Sequence, residues 1–378
     1  LSDSNSATPQ DWIAPRLAVI VPSYNERDNI APLYAKVAAA LGEVPFEFIV
    51  VDDDSPDGTA EAVRALARLH SNVRIIHRIG RRGLSSACIE GMAASAAPYL
   101  AVIDADHQHD ETILPQMLAR AEAGDDIVFG TRYSGAGSTG GGFSASREAG
   151  SRLATRLSGL VAGKTLSDPM SGFFLLRRTL FAEIAPQLSR EGFKILLDII
   201  VSARRARAGS GPELRIGEVP YTFRARHAGE SKMSPLIVVQ FLGLILSKLS
   251  GGILPTSFLL FAMVGASGVA VHLAVLFLSS EVLGFGFAAA QLTATLVAMT
   301  TNFVLNNSLT YADKTLRGRR FWLGLLSFYL VCSFGTIANV SVATLIYEWS
   351  PTLYVAGIAG ALMSVVFNYA VTRVFTWR

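Results

Sequence analysis

The chain has 378 residues, a formal net charge of +3, 51% hydrophobic and 17% charged residues, and a mean hydropathy of +0.39. That is too apolar for an ordinary soluble enzyme, so part of the chain is expected in lipid. The 33 Lys and Arg form no long basic run, so nucleic acid is not an expected partner. The only two cysteines, Cys88 and Cys332, fall in regions of different character, which argues against a disulfide framework and fits a reducing compartment.

In chain order, Leu1 to Gln10 are polar and lack the basic-then-apolar build of a signal peptide, and residues 1–16 read as a disordered lead-in. From Leu17 to about Tyr221, short apolar runs alternate with helix-like stretches. Strands are predicted at 17–21, 46–51, 73–76, 99–103 and 126–129, and helices at 29–41, 59–69, 83–96 and 112–121. This is the pattern of a mostly parallel open α/β sheet covered by helices, in which ligands gather beyond the carboxyl ends of the strands. After Pro235 four apolar stretches follow, near 257–278, 285–304, 322–346 and 353–371. Each approaches the roughly 20 residues that cross a bilayer as a helix. Residues 236–254 are apolar but carry Lys248 and a Gly-Gly pair, and read as interfacial.

Lys314, Arg317, Arg319 and Arg320 lie between the second and third spans and Arg373 and Arg378 follow the fourth, while the other two connections hold Glu281 and Glu348. By the positive-inside rule, the central loop, both ends and the α/β domain face the cytoplasm. The spans also resemble a duplicated hairpin. Gly268, His272, Val275, Leu278 and Glu281 recur as Gly335, Asn339, Val342, Leu345 and Glu348, and Asn302-Phe303 with Leu309-Thr310-Tyr311 recurs as Asn368-Tyr369 with Phe375-Thr376-Trp377. Polar groups in lipid are expensive, so His272, Asn302, Asn306, Asn339 and Asn368 are expected to hydrogen-bond between helices.

The sharpest chemical signal is Ile103-Asp104-Ala105-Asp106-His107-Gln108-His109, directly after a predicted strand. Two carboxylates one residue apart at a strand end must be solvated or neutralised. A hard divalent cation holding a diphosphate does this, with Gln108 as a neutral oxygen ligand; capping of the next helix is the bland alternative. The first two strands lead into Val21-Pro22-Ser23-Tyr24-Asn25-Glu26 and Val51-Asp52-Asp53-Asp54-Ser55-Pro56-Asp57-Gly58-Thr59. A nucleotide can sit at such strand-to-loop switches, with Tyr24 stacking and Asp53 accepting from base or ribose, whereas Asp57 and Thr59 read as helix caps. The run Gly135 to Gly140 matches a dinucleotide fingerprint, but no apolar helix opens after it and no acidic residue follows at the expected distance; it reads as a loop.

VPSYNERDNI, VVDDDSPDGT, GLSSACIEGM, DADHQH, IVFGTRY, SDPMSGFFLLRR, GFKILLDIIV and RHAGESK occur in this order over residues 17–232. The set resembles glycosyltransferase family 2, in particular the dolichol-phosphate mannose synthases, and the four-span tail is similar to the GtrA-like membrane domain. The resemblance implies a GT-A (Rossmann-like) α/β catalytic domain over 17–232, a juxtamembrane segment over 233–255, and an all-α four-helix transmembrane domain over 256–378. It implies that Pro22, Tyr24, Glu26, Val51 and Asp53 hold the nucleoside. Asp104, Ala105, Asp106 and Gln108 would surround the donor diphosphate and Mg²⁺ or Mn²⁺, with Asp106 and Gln108 as direct ligands. Arg226 and Lys232 would close over the diphosphate, and Arg132, Arg147 and Ser151 would receive a lipid phosphate. Asp104, Asp106 and Arg132 are the expected catalytic residues.

The implied reaction is inverting transfer of a hexose, mannose from GDP-mannose, to polyprenyl phosphate at the cytoplasmic face of the cell inner membrane. An ionised phosphate needs no general base, so Asp198 is expected to position the acceptor or nearby cations. The rivals are the same transfer from UDP-glucose or another UDP-sugar, a processive polysaccharide synthase, which the absence of a Gln-x-x-Arg-Trp motif disfavours, and a non-catalytic lipid-sugar flippase partner. A homo-oligomer is compatible with the sequence and not demanded by it.

Overall fold

A computed structural model describes residues 14–132, 166–168, 171–189, 195–208, 212–224, 254–311, 314–349 and 353–377. The interfacial reading of 236–254, apart from Leu254, and the readings of 135–140, Arg147, Ser151, Arg226 and Lys232 lie outside the described residues. The chain divides into two compact units, residues 1–233 and 234–378.

The first unit is an open α/β sheet. Its elements begin with β1 (Leu17–Ser23), α1 (Arg27–Leu41), β2 (Phe46–Asp52), α2 (Thr59–Leu69), β3 (Val73–His77), α3 (Leu84–Ala93) and β4 (Tyr99–Val102). A short 3₁₀ turn, Glu111–Ile113, leads into α4 (Leu114–Glu122), followed by β5 (Ile127–Thr131), β6 (Phe174–Arg177), α5 (Arg178–Ile184), α6 (Ile195–Arg207) and β7 (Ile216–Pro220). The sheet order is β3-β2-β1-β4-β6-β5-β7. β6 runs antiparallel to both its neighbours, and the other pairings are parallel. β1 and β2 are Val/Ile-rich because both sheet faces are covered; Leu17 to Val21 and Phe48 to Val51 are fully enclosed. Each such side chain contributes roughly 1.5–3 kcal/mol of burial.

Two strands escaped the sequence reading. β6 is four residues long and runs straight into α5, so neither length nor a turn marks it. β7, Ile-Gly-Glu-Val-Pro, buries only Gly217 and Val219, and its Pro220 is tolerated because β7 is the edge strand. Several predicted limits shift: α1 starts two residues earlier, at Arg27, α3 is shorter than 83–96, and β4 stops at Val102.

The second unit holds α7 (Thr256–Phe277), α8 (Phe287–Leu305), α9 (Arg319–Trp349) and α10 (Leu353–Phe375). Four stretches are long and apolar enough to cross a membrane: Ser257–Val282, Phe287–Thr310, Arg319–Ile346 and Ile358–Phe375. α7 and α8 widen into π-helical turns over Leu278–Val282 and Asn306–Thr310. Large apolar side chains such as Leu273, Phe277, Phe334 and Leu362 are exposed, which in lipid is the ordinary state.

The sequence repeat reappears as repeated contacts. Gly268 meets the carboxamide of Asn302, and Gly335 meets that of Asn368, each with no room for a Cβ. The equivalent residues Tyr311 and Trp377 stack on each other, centroids 4.2 Å apart and 13° from parallel, and Trp377 donates its Nε1–H to Asn307 Oδ1 at 3.0 Å. The expectation of interhelical hydrogen bonds does not hold for every asparagine. Among the described residues, Oδ1 of Asn302 and of Asn368 has no donor, and Asn306 Oδ1 accepts from Thr310 within its own helix at 2.7 Å. A glycine opposite lets the carboxamide pack directly on backbone, so close approach takes the place of a hydrogen bond.

Candidate active site

All strands parallel to β1 end at one edge of the sheet, and antiparallel β6 begins there. Segments far apart in sequence therefore meet: Tyr24 after β1, Asp53 after β2, Arg78 after β3, Asp104 to Gln108 after β4, Arg132 after β5, Asp168, Ser171 and Gly172 before β6, and Tyr221 to Arg224 at and beyond the end of β7. β1 pairs with β2 on one side and β4 on the other, so the crevice opens where the strand order reverses.

On the β1–β3 side, the guanidinium carbon of Arg82 lies 4.2 Å from the Tyr24 ring centroid. Asp53 is buried, and both of its oxygens already have protein donors: Arg78 Nη1 at 2.6 Å and the Gly83 N–H at 2.7 Å. Burial holds its carboxyl above the usual range, partly offset by Gly83 and Arg78. A base or ribose would therefore have only the remaining lone pairs of Asp53 to use. Arg78, which the sequence reading missed, is 2% exposed and also donates to Gly83 O and Ser86 Oγ. The Val51 side chain is fully enclosed and Pro22 is buried, so they shape the strand ends rather than offer side-chain contacts.

The N-cap of α2 is Gly58, so the capping reading holds only in that the first helical N–H, of Thr59, is taken by Asp57. Its Oδ1 accepts the N–H and hydroxyl of Thr59, and its Oδ2 accepts the Arg27 N–H at 3.1 Å. Burial alone would raise this carboxyl, but the hydrogen bonds from Thr59 and Arg27 outweigh it and hold it below its ordinary value.

The Asp-x-Asp loop follows β4. Asp106 is 7% exposed and accepts the Gln108 N–H at 3.1 Å, while the Asp104 side chain is more open, at 39%. Between them Ala105 is buried. His107 sits at φ +61, an unusual backbone conformation for a residue with a side chain. Lys36 Nζ lies 3.3 Å from its Nδ1, and its Nε2 lies 3.1 Å from Asn29 O. An ammonium only donates, so Nδ1 accepts and Nε2–H donates, tying the loop to α1. The same Asn29 donates to Glu26 Oε2 at 2.7 Å. His109 stacks on Phe173 and its Nδ1 accepts the Asp104 N–H at 3.3 Å. Burial pushes its pKa down to about 4, against the pull of Asp106, so the ring is neutral at pH 7. Gly172 leaves the space the first aspartate needs: a Cβ there would lie 2.9 Å from Asp104 Oδ2.

On the β5–β7 side, Arg132 forms a two-pronged pair with Asp168, Nε to Oδ2 at 2.7 Å and Nη2 to Oδ1 at 3.0 Å. Asp168 is 1% exposed. The guanidinium also lies over Phe223, 5.1 Å from its centroid, and Phe173, Tyr221, Phe223 and His109 form an edge-and-face aromatic cluster. None of Asp168, Phe173, Tyr221 or Phe223 was singled out from sequence. Their signal is the run Ser167-Asp168-Pro169-Met170-Ser171-Gly172-Phe173 and the alternation Tyr221-Thr222-Phe223. Asp198 is 2% exposed and accepts from the Ser189 N–H at 2.6 Å and the Ser202 hydroxyl at 3.2 Å. These contacts fasten the end of the 185–189 segment to α6. Cys88 and Cys332 are free thiols, and burial pushes the Cys88 thiol well up.

The buried Arg132–Asp168 pair and the Asp-x-Asp loop thus lie on one edge of the open α/β sheet. Residues 18–185 match the model of glycosyl transferase family 2, and residues 260–377 match the GtrA/DPMS transmembrane domain. The chain is 31% identical over 366 residues to a dolichol-phosphate mannosyltransferase of Pyrococcus furiosus, covering 96% of this chain and 99% of that protein. It is 38% identical over 233 residues to the dolichol-phosphate mannosyltransferase of Saccharomyces cerevisiae, 60% of this chain and 84% of that one. The chain belongs to glycosyl transferase family 2, in the form that carries a GtrA/DPMS membrane domain: it is a membrane-bound glycosyltransferase with a GT-A-like domain.

Proposed function

We propose that the chain transfers mannose from GDP-mannose to a polyprenyl phosphate, with inversion, at the cytoplasmic face of the cell inner membrane. The observation that carries this is the likeness to a dolichol-phosphate mannosyltransferase along both units of the chain. A catalytic domain over 17–232, a juxtamembrane segment over 233–255 and a membrane domain over 256–378 go with it.

Among the described residues no three Asp, Glu, His or Cys side chains form a metal cage. Two carboxylates and one amide oxygen form a partial set of hard oxygen ligands, which fits Mg²⁺ or Mn²⁺ that completes its sphere with diphosphate and water. Asp106 and Gln108 would hold the ion, with Asp104 beside it. When bound, it would neutralise charge developing on the departing diphosphate.

The chain's own residues then position two phosphorylated substrates. Tyr24, Glu26 and the Asp53–Arg78 pair form the nucleoside side of the crevice, with Pro22 and Val51 behind them. Arg132, with Arg147 and Ser151, receives the acceptor phosphate, and Arg226 and Lys232 grip the diphosphate. A phosphate oxygen of the lipid attacks the anomeric carbon as its bond to the diphosphate breaks, and the electron pair leaves with GDP. The acceptor is already ionised near neutrality, so no side chain need remove a proton.

The purified chain, given undecaprenyl phosphate and each of GDP-mannose, UDP-glucose and UDP-galactose, is expected to transfer from GDP-mannose. Turnover with a UDP-sugar alone would move the donor assignment to the rival and leave the acceptor assignment standing. Cysteines placed beside Glu281 and Glu348 are expected to react with an impermeant reagent from outside the cell. Labelling of both only after permeabilisation would refute the cytoplasmic placement.

A further inference from the structure

The loop that carries Asp106 and Gln108 is fastened at one point by a single residue, Arg224, beyond β7. The Arg224 N–H donates to Gln108 O at 2.9 Å, and the Gln108 side-chain Nε2 donates back to Arg224 O at 3.4 Å. The Arg224 guanidinium continues onto the next two acids, Nη2 to Asp110 Oδ1 at 2.7 Å and Nη1 to Glu111 Oε2 at 2.9 Å and Oε1 at 3.1 Å. Asp110 Oδ1 in turn accepts the N–H and hydroxyl of Thr112, opening the turn that leads into α4.

This arrangement has two physical consequences. An amide whose Nε2 is held by a carbonyl has its Oε1 set on the other branch, and Oε1 is the only atom of that group able to ligate a hard cation. The segment also packs four carboxylates, Asp104, Asp106, Asp110 and Glu111, into eight residues. Glu111 is 5% exposed, and its carboxylate is met there by the Arg224 guanidinium. With Asp110 and Glu111 neutralised by one fork, the charge left for a cation is concentrated on Asp104 and Asp106.

We propose that the Arg224 side chain is a positioning group for cation binding: while the backbone at 224 holds Gln108, the guanidinium keeps Asp110 and Glu111 from competing for the ion. This rests on the metal reading given above. The test is Mn²⁺ binding to the full-length chain in the presence of GDP, read from the electron paramagnetic resonance signal of unbound Mn²⁺, with turnover measured over a Mn²⁺ series. Arg224→Met, which keeps the apolar stem, is expected to weaken Mn²⁺ binding about 10–100-fold. Excess Mn²⁺ should restore most of its turnover, and Arg224→Lys, with charge but no fork, should fall between. Wild-type Mn²⁺ affinity in Arg224→Met, or turnover lost with an unchanged Mn²⁺ dependence, would overturn the proposal. No Mn²⁺ uptake by the unaltered chain with GDP would instead overturn the metal reading beneath it. If Arg224→Met does not fold, Arg224→Gln serves: it keeps the backbone contacts and a side-chain donor but leaves Asp110 and Glu111 without a cation, and is expected to weaken Mn²⁺ binding roughly tenfold. No change in that variant would also overturn the proposal.

Discussion

Asp106→Ala is expected to lower sugar transfer by at least about 10³-fold, equivalent to about 4 kcal/mol of transition-state stabilisation, while the membrane unit stays folded. Asp106 is 7% exposed at the end of β4 and accepts the Gln108 N–H, so alanine removes a charge from the proposed ion site and a bond that shapes the loop. Asp106→Asn separates the two effects. Asparagine retains an oxygen for the Gln108 N–H but carries no charge, so its thermal melting should match the unaltered chain while its turnover stays at the alanine level. The measurement is transfer under saturating donor with added Mn²⁺, beside melting of each variant. Turnover within tenfold of the unaltered chain in Asp106→Asn would remove Asp106 from the proposed ion site.

Breaking the Arg132–Asp168 pair should cost both stability and activity. The Arg132 side chain is 14% exposed and that of Asp168 1%, so Arg132→Ala strands a carboxylate in a nearly water-free place. Loss of one partner from such a pair costs about 3–5 kcal/mol, whereas replacing both with apolar residues of similar volume is often neutral. Arg132→Met with Asp168→Leu is therefore expected to recover most of the stability lost in Arg132→Ala. Its activity should not return if Arg132 receives the acceptor phosphate as proposed above, because the guanidinium is gone. Denaturant unfolding and turnover on the same preparations decide the matter. An active double variant would show that the pair only supports the fold.

What could be read in the sequence follows from how local each signal is. Apolar runs 17–21 and 46–51 announce β1 and β2 because strands buried on both faces have no polar alternation to hide them. DADHQH is legible because both carboxylates sit within three residues at a strand end, and Asp57 with Thr59 because their hydrogen bonds span only two residues. Asp53–Arg78, Arg132–Asp168 and Arg224 with Asp110 and Glu111 were not legible. Their partners stand 25, 36 and 114 or 113 residues apart and meet only because β1 to β7 end or begin on one edge. β6 and β7 were missed for the same reason: four residues, or five containing Gly and Pro, gain strand character from their neighbours in the sheet rather than from their own pattern. In the membrane unit the repeat was visible, but the role of Asn302 and Asn368 was not, because it depends on glycines on the facing helices.

The central claim is that the nucleophile is a lipid phosphate and not a hydroxyl. The direct measurement gives the purified chain GDP-mannose with either undecaprenyl phosphate or undecaprenol, and resolves the linkage and anomeric configuration of any lipid product by nuclear magnetic resonance. The account predicts product with the phosphate only, joined through a mannosyl phosphodiester of inverted configuration, and none with the alcohol. Transfer to the free alcohol, or a product that retains the donor's configuration, would contradict it.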